Sequence, residues 1–181
     1  DVGNSRVQYF TSAGAYEGQW GSLGTADGTF TTPTGLALNQ TTGDVYVLDP
    51  SNYRVQQFTS TGTYLRQWGS NGTGDGQFQD PTALDVHPVT FSVFVGDGTR
   101  DIVQEFTAAG VFLRQFGATG TGNGEFTTIS GMAFNQAGTV LYVTDLADRL
   151  QSFTVSTSVS TFLAKPTIHF WNGEAWHGAW E

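Results

Sequence analysis

The sequence repeats itself at a step of 48 residues. Asp1, Asp49, Asp97 and Asp145 keep that step, as do Phe10, Phe58 and Phe106, Gly21, Gly69 and Gly117, and Phe30, Phe78 and Phe126. Phe153 continues the Phe10 series one residue early. A period of this length with strand-like content is one supersecondary unit stacked on its neighbours, as in a propeller or a solenoid. One full period, residues 22–69, divides into four strand-like segments. Leu36, Ala37 and Leu38 form a short apolar run suited to a buried inner strand. Residues 44–49 carry Val45, Tyr46, Val47 and Leu48 as a second strand. Residues 54–59 form a third, anchored by Val55 and Phe58, and residues 64–68 a fourth. Turn residues at 40–43, 50–53 and 60–62 separate them. Four antiparallel strands per period make one propeller blade.

Composition agrees with an all-β chain. There are 24 glycines, one methionine and much threonine, a poor supply of helix formers. Aromatics at 14% and charged residues at only 13% are the reverse of a disordered signature. The 181 residues are about one domain. With 7 basic against 16 acidic residues, and Lys165 as the single lysine, nucleic acid is excluded as a partner, because phosphate binding needs clustered cations. The same acidity repels anionic lipid, and no apolar run is long enough to span a bilayer. The absence of cysteine removes disulfides, thiol catalysis and cysteine-ligated zinc together. No signal peptide is visible, and a start at Asp1 without Met reads as a processed or excised chain.

Three stretches carry a family pattern: GQFQDPTALDV at 76–86, DVYVLDPSNYRVQQF at 44–58 and TYLRQWG at 63–69. They resemble the NHL repeat: Gly-Gln-Phe, a proline, a small apolar strand, Val-Tyr-Val-x-Asp, Asn-x-Arg-Val-Gln-x-Phe, and a strand ending in Gly. Three full copies, 22–69, 70–117 and 118–163, follow a half copy at 1–21 that holds NSRVQYF. The resemblance implies an all-β propeller of four-stranded blades. The third copy departs from the pattern. Ile129 stands where Pro33 and Pro81 stand in the others, Arg149 and Leu150 shift the register by one, and the expected fourth strand at 155–162 lacks its terminal Gly.

The half copy holds only the third and fourth strands of a blade. The tail, 165–181, contains Asn172-Gly173, a strong hairpin signal joining 167–171 to 174–180. Residues 1–164 are thus expected to form propeller blades, and the tail hairpin to complete the half blade and seal a four-bladed ring, covering two sheet edges. The alternative is an open arc or a fragment of a larger propeller, since NHL propellers resemble a six-bladed design more often.

Candidate chemistry is sparse. Asp1, Asp49, Asp97 and Asp145 occupy one position per blade and could ring a calcium ion, with Asp101 and Asp148 nearby. The competing reading is a turn carboxylate that accepts backbone N–H groups. The Gly-rich loops at 21–30, 69–78 and 117–126 read as inter-blade crossovers rather than phosphate cradles, because no helix or lysine follows. His87, His169 and His177 could approach one rim but lack a metal-ligand spacing. Trp20, Trp68 and Phe116 end successive fourth strands, where inter-sheet packing is expected. In the tail, Trp171, Trp176 and Trp180, with His169 and His177, are the candidate ligand-binding residues, offering a platform for sugar rings or a protein. No catalytic residue and no cofactor is assigned.

These features point to a non-enzymatic, extracellular interaction module for a protein or glycan partner, on the cell surface or a virion, and a possible homo-oligomer. A structural or decoration subunit of a phage particle or surface appendage is the alternative. A metal-dependent lyase or hydrolase on an NHL scaffold, which the peptide-amidating lyases suggest, is the third.

Overall fold

The computed structural model describes residues 1–155 and the backbone of two further strands, at 168–171 and 176–177. It is a succession of antiparallel sheets. The half copy gives β1 (Val7–Phe10) and β2 (Tyr16–Trp20). The first full copy gives β3 (Gly35–Leu38), β4 (Val45–Asp49), β5 (Arg54–Phe58) and β6 (Tyr64–Trp68). The second gives β7 (Pro81–Val86), β8 (Val93–Asp97), β9 (Ile102–Phe106) and β10 (Phe112–Phe116). The third gives β11 (Ile129–Phe134), β12 (Val140–Asp145) and β13 (Arg149–Thr154), followed by β14 (Ile168–Trp171) and β15 (Trp176–His177). Within each sheet the strands lie in sequence order, each hydrogen-bonded to the next. That is the meander of a propeller blade.

The core lies between the sheets. Side chains alternate across a strand, so a sheet covered on both faces must be apolar on both. β4 and β8 meet this demand along their whole length, every residue being buried. One face of β4, with Val45 and Val47, packs with Phe58 on Val7 and Phe30 towards the half blade. The other, with Tyr46 and Leu48, packs on Leu84, Val86, Val93 and Val95 of the second blade. The second blade in turn lays Ala83, Phe94 and Val103 on Ile129, Leu141, Val143 and Phe153 of the third. β6, at the outside, keeps only its two ends half-buried.

Each Gly-rich loop is latched to its blade by the same pair of bonds. The Gln56 side chain accepts from the Gly28 N–H and donates to the Thr29 carbonyl. Gln104 does the same with Gly76 and Gln77, and Gln151 with Gly124 and Glu125. The loops are the expected crossovers, with Gly28, Gly76 and Gly124 at φ of 75°, 73° and 75°, a region costly for residues with a Cβ.

Among the described residues the sheets do not close into a ring, and the four-bladed expectation is corrected here in favour of the open arc. β14 pairs with β13, through Ser152 opposite His169 and Phe153 opposite Ile168. The tail forms the hairpin that Asn172-Gly173 foretold, with Phe170 opposite His177 and Trp171 opposite Trp176, but on the third blade rather than on β1. The physical reason is an edge. β13 is a third strand needing an outer neighbour, and β14 supplies it. Apart from Val155, the stretch expected as that fourth strand lies outside the described residues.

Candidate interaction cleft

β3 is held as an inner strand by the turn that follows it. The Asn39 side chain accepts the N–H groups of Thr41 and Thr42 at 2.9 and 3.2 Å, which bends the chain back into β4. Leu36 and Leu38 then project on the face of Val45 and Val47, and Ala37 on the opposite face. Ala37 is buried, but Leu36 is 51% and Leu38 42% exposed. Of this run, which the sequence suggests as a buried inner strand, only Ala37 is buried. One period later, on the same face, Leu84 is 8% and Val86 5% exposed, because β3 and β4 lie over them. Among the described residues no such pair of strands lies over Leu36 and Leu38, and the neighbouring sheet there is the two-stranded β1–β2.

What remains is a cleft of about 350 Å³ with Val7, Tyr9 and Trp20 on one wall and Leu36, Leu38 and Val45 on the other. Its polar lining is neutral: Gln8, Asn39, Gln40 and Ser60. β1 borders it, and among the described residues β1 is paired on one side only, by β2. A second, more open cleft of about 680 Å³ continues along the inner strands past Asp85, Pro88, Phe134 and Gln136. Burial raises the Asp85 carboxyl above the usual carboxylate range, opposed by the N–H groups of Phe134 and Val86 that it accepts at 2.7 and 2.8 Å. Asp85 thereby fastens β7 to β11.

The period-locked aspartates are structural ties. Asp49 accepts the N–H groups of Thr31 and Thr32 and pairs with Asn52 and the buried Arg54. Asp97 accepts from the backbone of Gln79, Asp80, Thr99 and Arg100. Asp145 accepts from Thr127 and Ala147 and pairs with Arg149. Asp1 holds Asn4 and Arg6. Of the two flanking aspartates, Asp101 accepts the Thr128 N–H, and Asp148 is exposed at a φ of 57°. Among the described residues no three His, Asp or Glu side chains are grouped to hold a metal. Arg54 and Arg149 also cap loop carbonyls, Thr25, Ala26 and Thr29 for the first and Thr121 and Glu125 for the second.

His87 occupies the turn position of Asn39 one period on and does the same work. Its Nδ1 accepts the N–H groups of Val89 and Thr90. Its ring is buried against Phe134, and that burial lowers its pKa, opposed by the Gly138 backbone, Glu105 and Asp85. Trp20, Trp68 and Phe116 pack between blades as expected, on Phe58, Phe106 and Phe153. The backbone places Trp171 opposite Trp176, and His169 and His177 on β14 and β15. The side chains of all four, and Trp180 altogether, lie outside the described residues. The cleft residues Leu36, Leu38 and Gln40 were missed as site residues. The signal for them was the half copy, which sets only a two-stranded sheet, β1 and β2, before the next blade.

The NHL repeat profile matches residues 30–58, from the buried Phe30 of the crossover through β3, β4 and β5. Residues 30–58 are an NHL repeat. No curated protein matches it. The repeat suggests a β-propeller protein-interaction module, and no helix among the described residues is long and apolar enough to cross a membrane.

Proposed function

We propose that this NHL-repeat arc is a non-enzymatic interaction module that works outside the cytoplasm and binds a protein partner along the β1–β3 cleft. The observation that carries the reading is the exposure of Leu36 and Leu38 beside a strand edge that is unpaired among the described residues. Apolar side chains supply affinity and an unpaired edge supplies main-chain hydrogen bonds, the two ingredients of β-strand addition. The non-enzymatic part is supported by the employment of the polar side chains. Asp49, Asp97, Asp145 and His87 are each engaged by backbone N–H groups. The extracellular setting is supported by composition alone, an acidic chain with one lysine and no cysteine.

A displayed library of small proteins and extended peptides tests the reading. The protein enriches binders, and the Leu36→Asp/Leu38→Asp variant, altered at exposed positions, does not. Equal enrichment by both would contradict it.

A further inference from the structure

All three Gly-rich loops contain the same kind of peptide bond, an aspartate or asparagine followed by glycine: Asp27–Gly28, Asp75–Gly76 and Asn123–Gly124. Asp27, Asp75 and Asn123 are exposed. Such a pair can react with itself. The glycine nitrogen attacks the preceding side-chain carbonyl carbon and closes a five-membered imide, expelling ammonia from Asn or water from Asp. Water then opens the imide at either carbonyl and leaves aspartate or isoaspartate. Glycine hinders the closure least because it has no Cβ. The glycine N–H must give up its proton to attack, and in each loop that N–H is already committed. It donates at 2.9 Å to Oε1 of Gln56, Gln104 and Gln151 in turn. These glutamines are buried. Each also donates through Nε2 to the carbonyl of the residue after the glycine, Thr29, Gln77 or Glu125, at 2.7, 2.8 and 2.7 Å. The reactive nitrogen is thus clamped by a buried side chain in all three blades.

We propose that Asn123 is a deamidation site gated by Gln151, and that Gln56 and Gln104 guard Asp27 and Asp75 against isomerisation in the same way. To attack, the Gly124 nitrogen must leave Gln151, and a buried carbonyl oxygen then loses its donor. A penalty of that kind slows a step that requires it by about tenfold or more. The two products differ in consequence. Aspartate gives the third loop the residue that the first two already carry, Asp27 and Asp75. Isoaspartate adds one methylene to the backbone between Thr119 and Phe126, which bridge one another across the loop. Phe126 is fully buried between the second and third blades, so the lengthened loop strains a core anchor. Asn71–Gly72 provides an internal comparison. Its glycine N–H donates to the Phe78 carbonyl at 3.1 Å, a backbone acceptor rather than a glutamine.

The test incubates the full chain in mildly alkaline buffer and follows each site by peptide mass mapping and isoaspartate assay. A synthetic peptide of residues 118–128 sets the unguarded rate. Asn123 in the folded chain is expected to react at least about tenfold more slowly than in the peptide. Gln151→Leu removes the acceptor and should abolish most of that protection, while Asn71 keeps its rate. Gln151→Glu retains an acceptor oxygen and should restore the protection. Arg149→Gln releases the carbonyls of Gly120, Thr121, Gly122 and Glu125 in the same loop without touching the Gly124 N–H, and should leave Asn123 protected. Gln104→Leu, read as isoaspartate at Asp75, repeats the test in the second blade should Gln151→Leu fail to fold. A folded chain that reacts at the peptide's rate would overturn the inference. So would a glutamine-to-leucine variant that folds and reacts at the wild-type rate. Equal acceleration by Arg149→Gln would overturn it as well, because loosening of the loop would then suffice.

Discussion

Leu36 and Leu38 on the first blade, and Leu84 and Val86 on the second, occupy the same repeat positions on the same face of the same inner strand. The first pair is about half exposed and the second is buried. Their strands pair alike, Leu36 with Val47 and Leu84 with Val95. The difference comes from the neighbour. The second blade follows four strands, and the first follows two. In a repeat protein burial belongs to the interface between units, so a residue chosen for the core becomes surface wherever a unit is incomplete.

The strongest way to break that comparison is a charge. Leu84→Asp places a carboxylate between two sheets without a partner and is expected to cost more than about 4 kcal/mol, enough to unfold a domain of ordinary stability. Leu36→Asp should change stability by less than about 0.5 kcal/mol. Denaturant titration of both variants checks the pair, and equal losses would mean that Leu36 is covered in solution.

A second contrast sets Trp68 against Trp20. Trp68 packs on Phe106 and Tyr46 between two complete blades, and Trp20 on Phe58 and Tyr9 beside the half blade. Trp68→Ala is expected to cost about 3 kcal/mol of global stability. Trp20→Ala should instead release β1 and β2 locally, lowering the global value by about 1 kcal/mol while their amide exchange accelerates. Equal global losses would show that the half blade unfolds with the rest.

The smallest expected effect concerns the turns at Asn39 and His87. Burial depresses the His87 pKa in the folded protein, so the unfolded chain binds the proton more readily. Its contribution to stability is full above the unfolded value near about 6.5 and is lost as pH falls below it. His87→Asn keeps the turn acceptor that Asn39 supplies in the first blade and removes the titration. Melting curves between pH 7 and 5 should therefore flatten in the variant. An unchanged slope would assign the acid sensitivity elsewhere.

Much of this was legible in the sequence because the period writes each strand three times. Residues 54–59 and 64–68 read as strands and are β5 and β6 to within a residue. The turn role of Asp49, Asp97 and Asp145 was read, and so was the one-residue shift of Arg149, whereas the ion pairs of Asp49 with Arg54 and of Asp145 with Arg149 were not. The exposure of Leu36 was not read, because an apolar run carries no mark of whether its neighbour exists. The place of the tail was not read either. Asn172-Gly173 specifies a hairpin, but a hairpin pairs with whichever free edge it reaches, and both β1 and β13 offered one.

The central claim is that the inner face of the first blade is open. Because the chain has no cysteine, single thiols report on it without background. Leu36→Cys and Leu38→Cys should react with a maleimide within about tenfold of a free thiol, as exposed sites do, whereas Leu84→Cys and Val86→Cys should be slower by a factor of about 100 or more, reacting only through opening of the inter-blade core. Equal protection of all four thiols would contradict the account.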